Sequence, residues 1–227
     1  MYSSKPAYVF GFHGLDETIG IDVINNRRQL QHSTNAYDWL GHGVYFWENN
    51  YERAKQYAEQ AKERKDSSID KPFVIGAIID LGECLDLLDQ KWLDFLAVSY
   101  EDLKSSLPFK AHLDFQAINQ DGFDDHFSDA YKMGEFHNIM RRHQLPKNEP
   151  FGPNDFDFKK RELDCAVIRH AHELATRSGF SFDSVRAAFW EGNELYPNAG
   201  FKTHNHIQIA VINPNCIKGV FWPREKI

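Results

Sequence analysis

The residues whose types and spacing suit chemistry fall in three short segments. His13-Gly14 comes first. Gly41-His42-Gly43-Val44-Tyr45-Phe46 follows, and Ala54-Lys55-Gln56-Tyr57-Ala58 lies a few residues beyond it. Glycine lets the backbone approach a flat ring closely. Tyr45 on a strand and Tyr57 on a helix face offer stacking area at little conformational cost. A cationic ring between them would gain further attraction. The combination reads as a cradle for a dinucleotide. It is not a Rossmann fingerprint, because no G-x-G-x-x-G opens a helix inside a βαβ unit. A histidine at a strand end and two inward aromatics also serve as ordinary core residues, and burial separates the two uses.

Further polar candidates lie near the C-terminus. Gln208, in His206-Ile207-Gln208-Ile209-Ala210-Val211, faces the side opposite Ile207 and Ile209 by strand alternation. A glutamine hydrogen-bonds and orients, but it supplies neither negative charge nor a base. Glu191 and Glu194 follow a strand and open a loop rich in Gly, Asn and Pro that reaches Asn205. His170 and His172 stand two apart on a helix and point away from each other. His204 and His206 share a strand face but have no third ligand at metal spacing, so no metal is expected. Cys84, Cys165 and Cys216 form neither a CxxC motif nor a disulfide framework, which suits a reducing, cytoplasmic setting.

Composition bounds the rest. The chain has 227 residues, 42% hydrophobic and 14% aromatic, enough for one domain with a real core. A net charge of -7 argues against general nucleic-acid binding. It leaves room for a local basic site at Arg27-Arg28, Arg141-Arg142-His143 or Lys159-Lys160-Arg161. No apolar run approaches the ~20 residues of a membrane helix, and no signal peptide is legible, so no membrane partner is expected.

The elements that must position these residues follow from periodicity. Ala7–Phe12 reads as a strand that turns at His13-Gly14, and Gly43–Trp47 as a second strand. Asn49 or Asn50 caps a helix from Tyr51 to about Arg64, with Ala54, Tyr57, Ala58 and Ala61 on its apolar side. The β-branched run from Pro72 to Leu81 suits a central strand. A helix is expected over Gln90–Leu103, then a weakly periodic stretch from Pro108 to Asp157 that holds a short helix at Met133–His143. Phe158–Arg177 is an amphipathic helix, and Val185–Trp190, Ile207–Ile212 and Cys216–Trp222 are strands. Strand groups at both ends with helices between them make an α+β domain.

His13-Gly14, the Gly-x-Gly strand with Tyr45, and Tyr57 on the next helix resemble the NAD-binding half of ADP-ribosyltransferases. The closest branch is that of poly(ADP-ribose) polymerases and diphtheria toxin, whose triad is His, Tyr and usually Glu. The resemblance covers the chain as far as the Pro72–Leu81 strand and again from about Gly179 onward. The middle, about 88–157, would be an insertion in a single domain over 1–227. The family fold implies two packed, mainly antiparallel sheets with a central NAD cleft and flanking helices. By the same resemblance, His13 would bind a ribose hydroxyl of NAD, Gly14 the carboxamide, and Tyr45 and Tyr57 the nicotinamide ring. Gln208 would hold the place of the catalytic carboxylate, and Glu191, on the loop that faces the acceptor, would supply the missing charge. Ala54 stands where the family usually carries a small hydroxyl residue. The implied activity is NAD-dependent mono-ADP-ribosyl transfer to a protein or nucleic-acid acceptor. The alternative is a degenerate module that binds NAD or ADP-ribose without turnover.

Overall fold

The alternating apolar pattern at the N-terminus carries further than the sequence suggests. Strand β1 runs Val9–Asp16, so His13 and Gly14 lie inside a strand and not at its closing turn. The turn comes at Asp16, which accepts hydrogen bonds from Thr18 N and Thr18 Oγ1 and from the backbone amides of Asp70 and Lys71. The computed structural model describes residues 8–120, 145–150 and 158–224.

Helix α1 (Glu17–Ile24) leaves Asp16, and β2 (Val44–Glu48) leads to α2 (Tyr51–Lys62). Asn50 caps α2 by accepting from Arg53 N at 3.0 Å. β3 (Pro72–Ile79) and a short β4 (Cys84–Asp86) precede α3 (Gln90–Gln120). α3 continues past Pro108, so the first part of the expected insertion is a helix, packed along α4 (Glu162–Arg177). The helix expected at Met133–His143 lies outside the described residues. Phe158–Arg161 is strand β6, paired with β5 (Asn148–Pro150), so α4 starts later than its apolar periodicity suggests. β7 (Ser184–Phe189), β8 (His206–Val211) and β9 (Ile217–Phe221) complete the chain.

The fold is α+β. In place of two packed sheets, seven strands form one mixed sheet in the order β4-β7-β8-β2-β1-β3-β9, and β5-β6 is a separate ribbon. All neighbours in the large sheet are antiparallel except β4 and β7. β1 holds β3 over its whole length, from Val9↔Ile79 to Asp16↔Pro72. It holds β2 at only two residue pairs, Gly11↔Glu48 and Phe12↔Trp47. The sheet is therefore two continuous parts joined by a short seam.

Alternation sorts the side chains of β2. Val44 and Phe46 enter a core with Ile209, Val211, Ala77 and Ile79. Tyr45 and Trp47 face the other way, across from Ala210 and Gln208. Two helices cover that second face. α4 packs Ile168, Ala171 and Ala175 on Val185, Ala187 and Ala210, and α2 packs Ala54 beside Trp47 and Val74. α1 covers the first face through Val23, against Leu15 and Ile75.

α2 lies so close to β1 that Gly14 admits no side chain. A Cβ there would stand 2.4 Å from the Ala54 carbonyl oxygen and 3.1 Å from Ala58 Cβ. Gly14→Ala is expected to destabilise the protein by about 1–3 kcal/mol through displacement of α2. Urea denaturation measures this, and wild-type stability in the variant would show that α2 is not held against Gly14.

Candidate functional site

The site begins where β1 and β2 part. Phe10 C=O accepts from Asn49 N at 2.8 Å, so the even-numbered residues of β1 turn their backbone N–H and C=O toward β2. After Phe12↔Trp47 the next rung would join Gly14 to Tyr45, and it is not formed. Instead His13 Nδ1 donates to the Tyr45 carbonyl at 2.6 Å. On the far side of the gap, Gly43 pairs with Ser33. Gly14, itself buried, therefore turns its N–H and C=O into a break in the ladder bounded by two closed bridges. Burial holds the His13 pKa below its ordinary value, against the upward pull of the Tyr45 carbonyl. The neutral ring with its proton on Nδ1 has Nε2 as an acceptor.

Tyr45 and Tyr57 belong to different packing groups. Tyr45 packs with Leu40, Ala210 and the α4 core. Its hydroxyl donates to Gly41 C=O at 2.6 Å and accepts from Leu40 N at 2.8 Å, locking the turn before β2. Gly41 takes φ +75° there, which suits glycine. Burial pushes the Tyr45 hydroxyl pKa up, so it stays protonated. Tyr57 sits on α2 with its ring against Trp47, centroids 4.9 Å apart and planes at 44°. Both tyrosines are half-buried.

The remaining predicted residues meet on the α2/α4 face. Gln208 lies directly across the ladder from Trp47 on one side and Ala187 on the other, and is 8% exposed. Glu191, just past the end of β7, receives both of its hydrogen bonds from Arg53 Nη2, at 2.7 and 2.8 Å. Arg53 is buried on α2, and its guanidinium lies 5.7 Å from the centre of the Trp47 ring. Glu191 also stands 3.7 Å from Nδ1 of His206, which donates to His204 C=O at 2.6 Å. Burial holds the His206 pKa down, against the smaller upward pulls of that carbonyl and of Glu191. Trp47 Nε1, Arg53 Nε and Nη1, His206 Nε2 and Gln208 Oε1 are all buried without a hydrogen-bond partner. Native interiors rarely leave such atoms unmatched, and here they gather around one indole.

Sequence reading reached Gln208, Glu191, His13, Gly14, Tyr45 and Tyr57, and missed Trp47 and Arg53. Trp47 was accessible through alternation, since it shares the Tyr45 face. Arg53 had no local signal, because its partner lies 138 positions away. Ala54 is fully buried under Gly14 and adds no polar group. A groove of about 700 Å³ is lined by Tyr51, Lys55, Phe73, Val74 and Trp222 among others; Tyr51 and Val74 also pack with Trp47 and Tyr57, while Tyr45, Tyr57 and Gln208 are not in its lining. Among the described residues, no group of His, Cys, Asp or Glu is placed to hold a metal, and no helix is long and apolar enough to cross a membrane. No family model, curated protein or solved structure matches the chain.

The Arg53–Glu191 pair is the main charge contact inside this site. Removing one partner leaves the other buried and uncompensated, so Arg53→Ala is expected to cost about 3 kcal/mol. The double variant with Glu191→Ala should recover part of that loss in a denaturation cycle. Strict additivity would mean that the pair is not coupled in solution. The two imidazoles held neutral by burial, His13 and His206, add a pH dependence. Their folded pKa values lie below 6.5, so the stability they contribute is present above that pH and lost as pH falls below it. Denaturant midpoints at pH 7.5 and 5.5 should differ less in a His13→Gln, His206→Gln variant than in the wild type.

Proposed function

We propose that this chain is an NAD-dependent mono-ADP-ribosyltransferase, moving ADP-ribose from NAD to a macromolecular acceptor with release of nicotinamide. The observation that carries the reading is the unformed rung between Gly14 and Tyr45. A backbone donor and acceptor on one residue, buried and left without a strand partner, match a carboxamide, which needs one of each. His13 lies on the Phe46 face of the sheet, opposite Tyr57, so with Nδ1 committed to the Tyr45 carbonyl its Nε2 would accept from a ribose hydroxyl of NAD from the far side of the seam. Tyr57 on α2 stands on the Gly14 side of the seam and supplies an aromatic face for nicotinamide. Tyr45 then acts mainly through its backbone and by fixing the Leu40–Gly41 turn, more than as a second stacking face.

In the reaction the bond from the ribose C1′ to the nicotinamide nitrogen breaks, and the electron pair leaves with neutral nicotinamide. Positive charge grows on the sugar as in other oxocarbenium-like reactions. Gln208 Oε1 orients a ribose hydroxyl and offers a dipole to that charge. The Glu191 carboxylate adds charge from the loop, reduced by its pairing with Arg53. An acceptor nucleophile attacks C1′ and loses its proton to solvent. With no free carboxylate at position 208, the set suits transfer of one unit over growth of a chain.

The hairpin between β7 and β8 favours a protein acceptor. It exposes Trp190, Leu195, Tyr196 and Phe201, and its Glu194 and Lys202 pair across the bridge. That surface is apolar and nearly balanced in charge, where a phosphate backbone asks for clustered cations.

The second reading, a binding module without turnover, is favoured by the neutral Gln208 and by Ala54. Incubation with labelled NAD and lysate separates the two. Nicotinamide release that rises about tenfold in Gln208→Glu and is lost in Gln208→Leu supports the transferase. Binding by calorimetry with no release in either variant supports the module. Neither binding nor release removes NAD from the account. Protease or nuclease sensitivity of the label then identifies the acceptor class.

A further inference from the structure

We propose that Trp47 is the specificity-determining residue of this site. Its indole occupies the face of Tyr57 that a ligand ring would use, and binding displaces it. This rests on the NAD reading above.

Three observations meet at this side chain. First, Tyr57 already has an aromatic partner, because Trp47 packs on it at 4.9 Å. A nicotinamide ring held at the Gly14 edge cannot share that face with an indole. Second, the packing of Trp47 is polar-frustrated. It is 4% exposed, and its Nε1–H has no acceptor. The residue directly opposite in the ladder, Gln208, has an Oε1 with no donor. A donor and an acceptor on facing residues that do not meet mark an arrangement held by apolar contact with Tyr57, Phe12 and Val74. Third, the Arg53 guanidinium lies over the same ring with Nε and Nη1 unpartnered, and His206 Nε2 is likewise unmatched.

Displacing the indole uncovers a ring-stacking face on Tyr57. The buried polar atoms of Arg53, Gln208 and His206 around the indole make no hydrogen bond to it, so its departure breaks none. The indole thus sets a threshold. A ligand enters only if its ring gains more from Tyr57 than the indole loses, which selects for flat, electron-poor rings. ADP-ribose, which lacks the nicotinamide ring, meets no such competition.

Calorimetry with NAD and with ADP-ribose tests this on wild type, Trp47→Ala, Trp47→Leu and Tyr57→Leu/Trp47→Ala. The expected result is NAD binding at least tenfold tighter in Trp47→Ala, with ADP-ribose affinity unchanged. The added Tyr57→Leu change should cancel the gain. Circular dichroism checks the fold, and Trp47→Leu carries the test if the smaller side chain leaves too large a void. NAD binding equal to or weaker than wild type in a folded Trp47 variant, with ADP-ribose still bound, overturns the role of Trp47 and leaves the NAD reading standing. An equal gain for ADP-ribose also overturns it, since the effect would then not belong to the ring. Loss of both ligands from wild type and variants alike overturns both proposals together.

Discussion

The arrangement depends on one geometric constraint: β1 cannot follow both of its neighbours. It keeps β3 through eight residue pairs and gives up β2 after two. β2 in turn stays with β8 from Val44 to Trp47. Where the strands part, a backbone carbonyl is released, and leaving it unmatched in a partly buried place is costly. His13 meets that need by reaching across to Tyr45 C=O. The same ring therefore closes the sheet structurally and sets its own tautomer. Gly14 follows from the same constraint, since α2 comes down on β1 where only a hydrogen fits.

Two ion pairs then brace β7 against β2 and α2 from opposite faces of the sheet. On one face Arg186 of β7 grips Glu48 of β2 through two hydrogen bonds, at 2.6 and 2.9 Å, and reaches Asp86 of β4. The Glu48 hydrogen bond, first among the causes, raises the Arg186 pKa. On the other face Arg53 of α2 grips Glu191 at the root of the β7–β8 hairpin. Each pair spans β8. Because Arg186 and Arg53 both tie β7 to the β2–α2 unit across β8, Gln208 and Trp47 are fixed opposite one another more firmly than the β2–β8 ladder alone would ensure.

Periodicity made most of this fold legible, and it failed where the decisive contact is distant. The α2 cap at Asn50, the β-branched run of β3 and the alternation of β8 are local signals, and they placed Tyr57 and Gln208 on the correct kinds of element. The sequence places the end of β1 at His13-Gly14, because glycine usually marks a turn. Here it marks close helix approach, which depends on Ala54 some 40 positions away. The single sheet was not legible, since the resemblance implies two, and pairing across β1 and β2 has no sequence signature. β4 is three residues long and parallel to β7, too short for a pattern. α3 runs through Pro108 where composition suggested irregular chain. Glu191 was legible as a loop carboxylate, but its engagement with Arg53 was not, and that engagement changes its chemistry from a free charge to half of an ion pair.

That change bears on how much catalysis this residue set can carry. A free carboxylate beside a developing oxocarbenium ion stabilises it by full charge in a low-dielectric site. Glu191 faces Arg53 at 2.7 Å, so the net charge it presents to a substrate is close to that of a dipole. Gln208 is also a dipole. Two dipoles orient a sugar well but stabilise its charge weakly, so the ground-state complex gains more than the transition state does. On the proposed reading such a set orients NAD more than it drives turnover, and the rate would depend on whether ligand binding draws Arg53 away from Glu191. The unmatched Nε and Nη1 of Arg53 give that movement a chemical motive. A diphosphate or hydroxyl that engages them would loosen the pair and return negative charge to Glu191 when a sugar is present to use it.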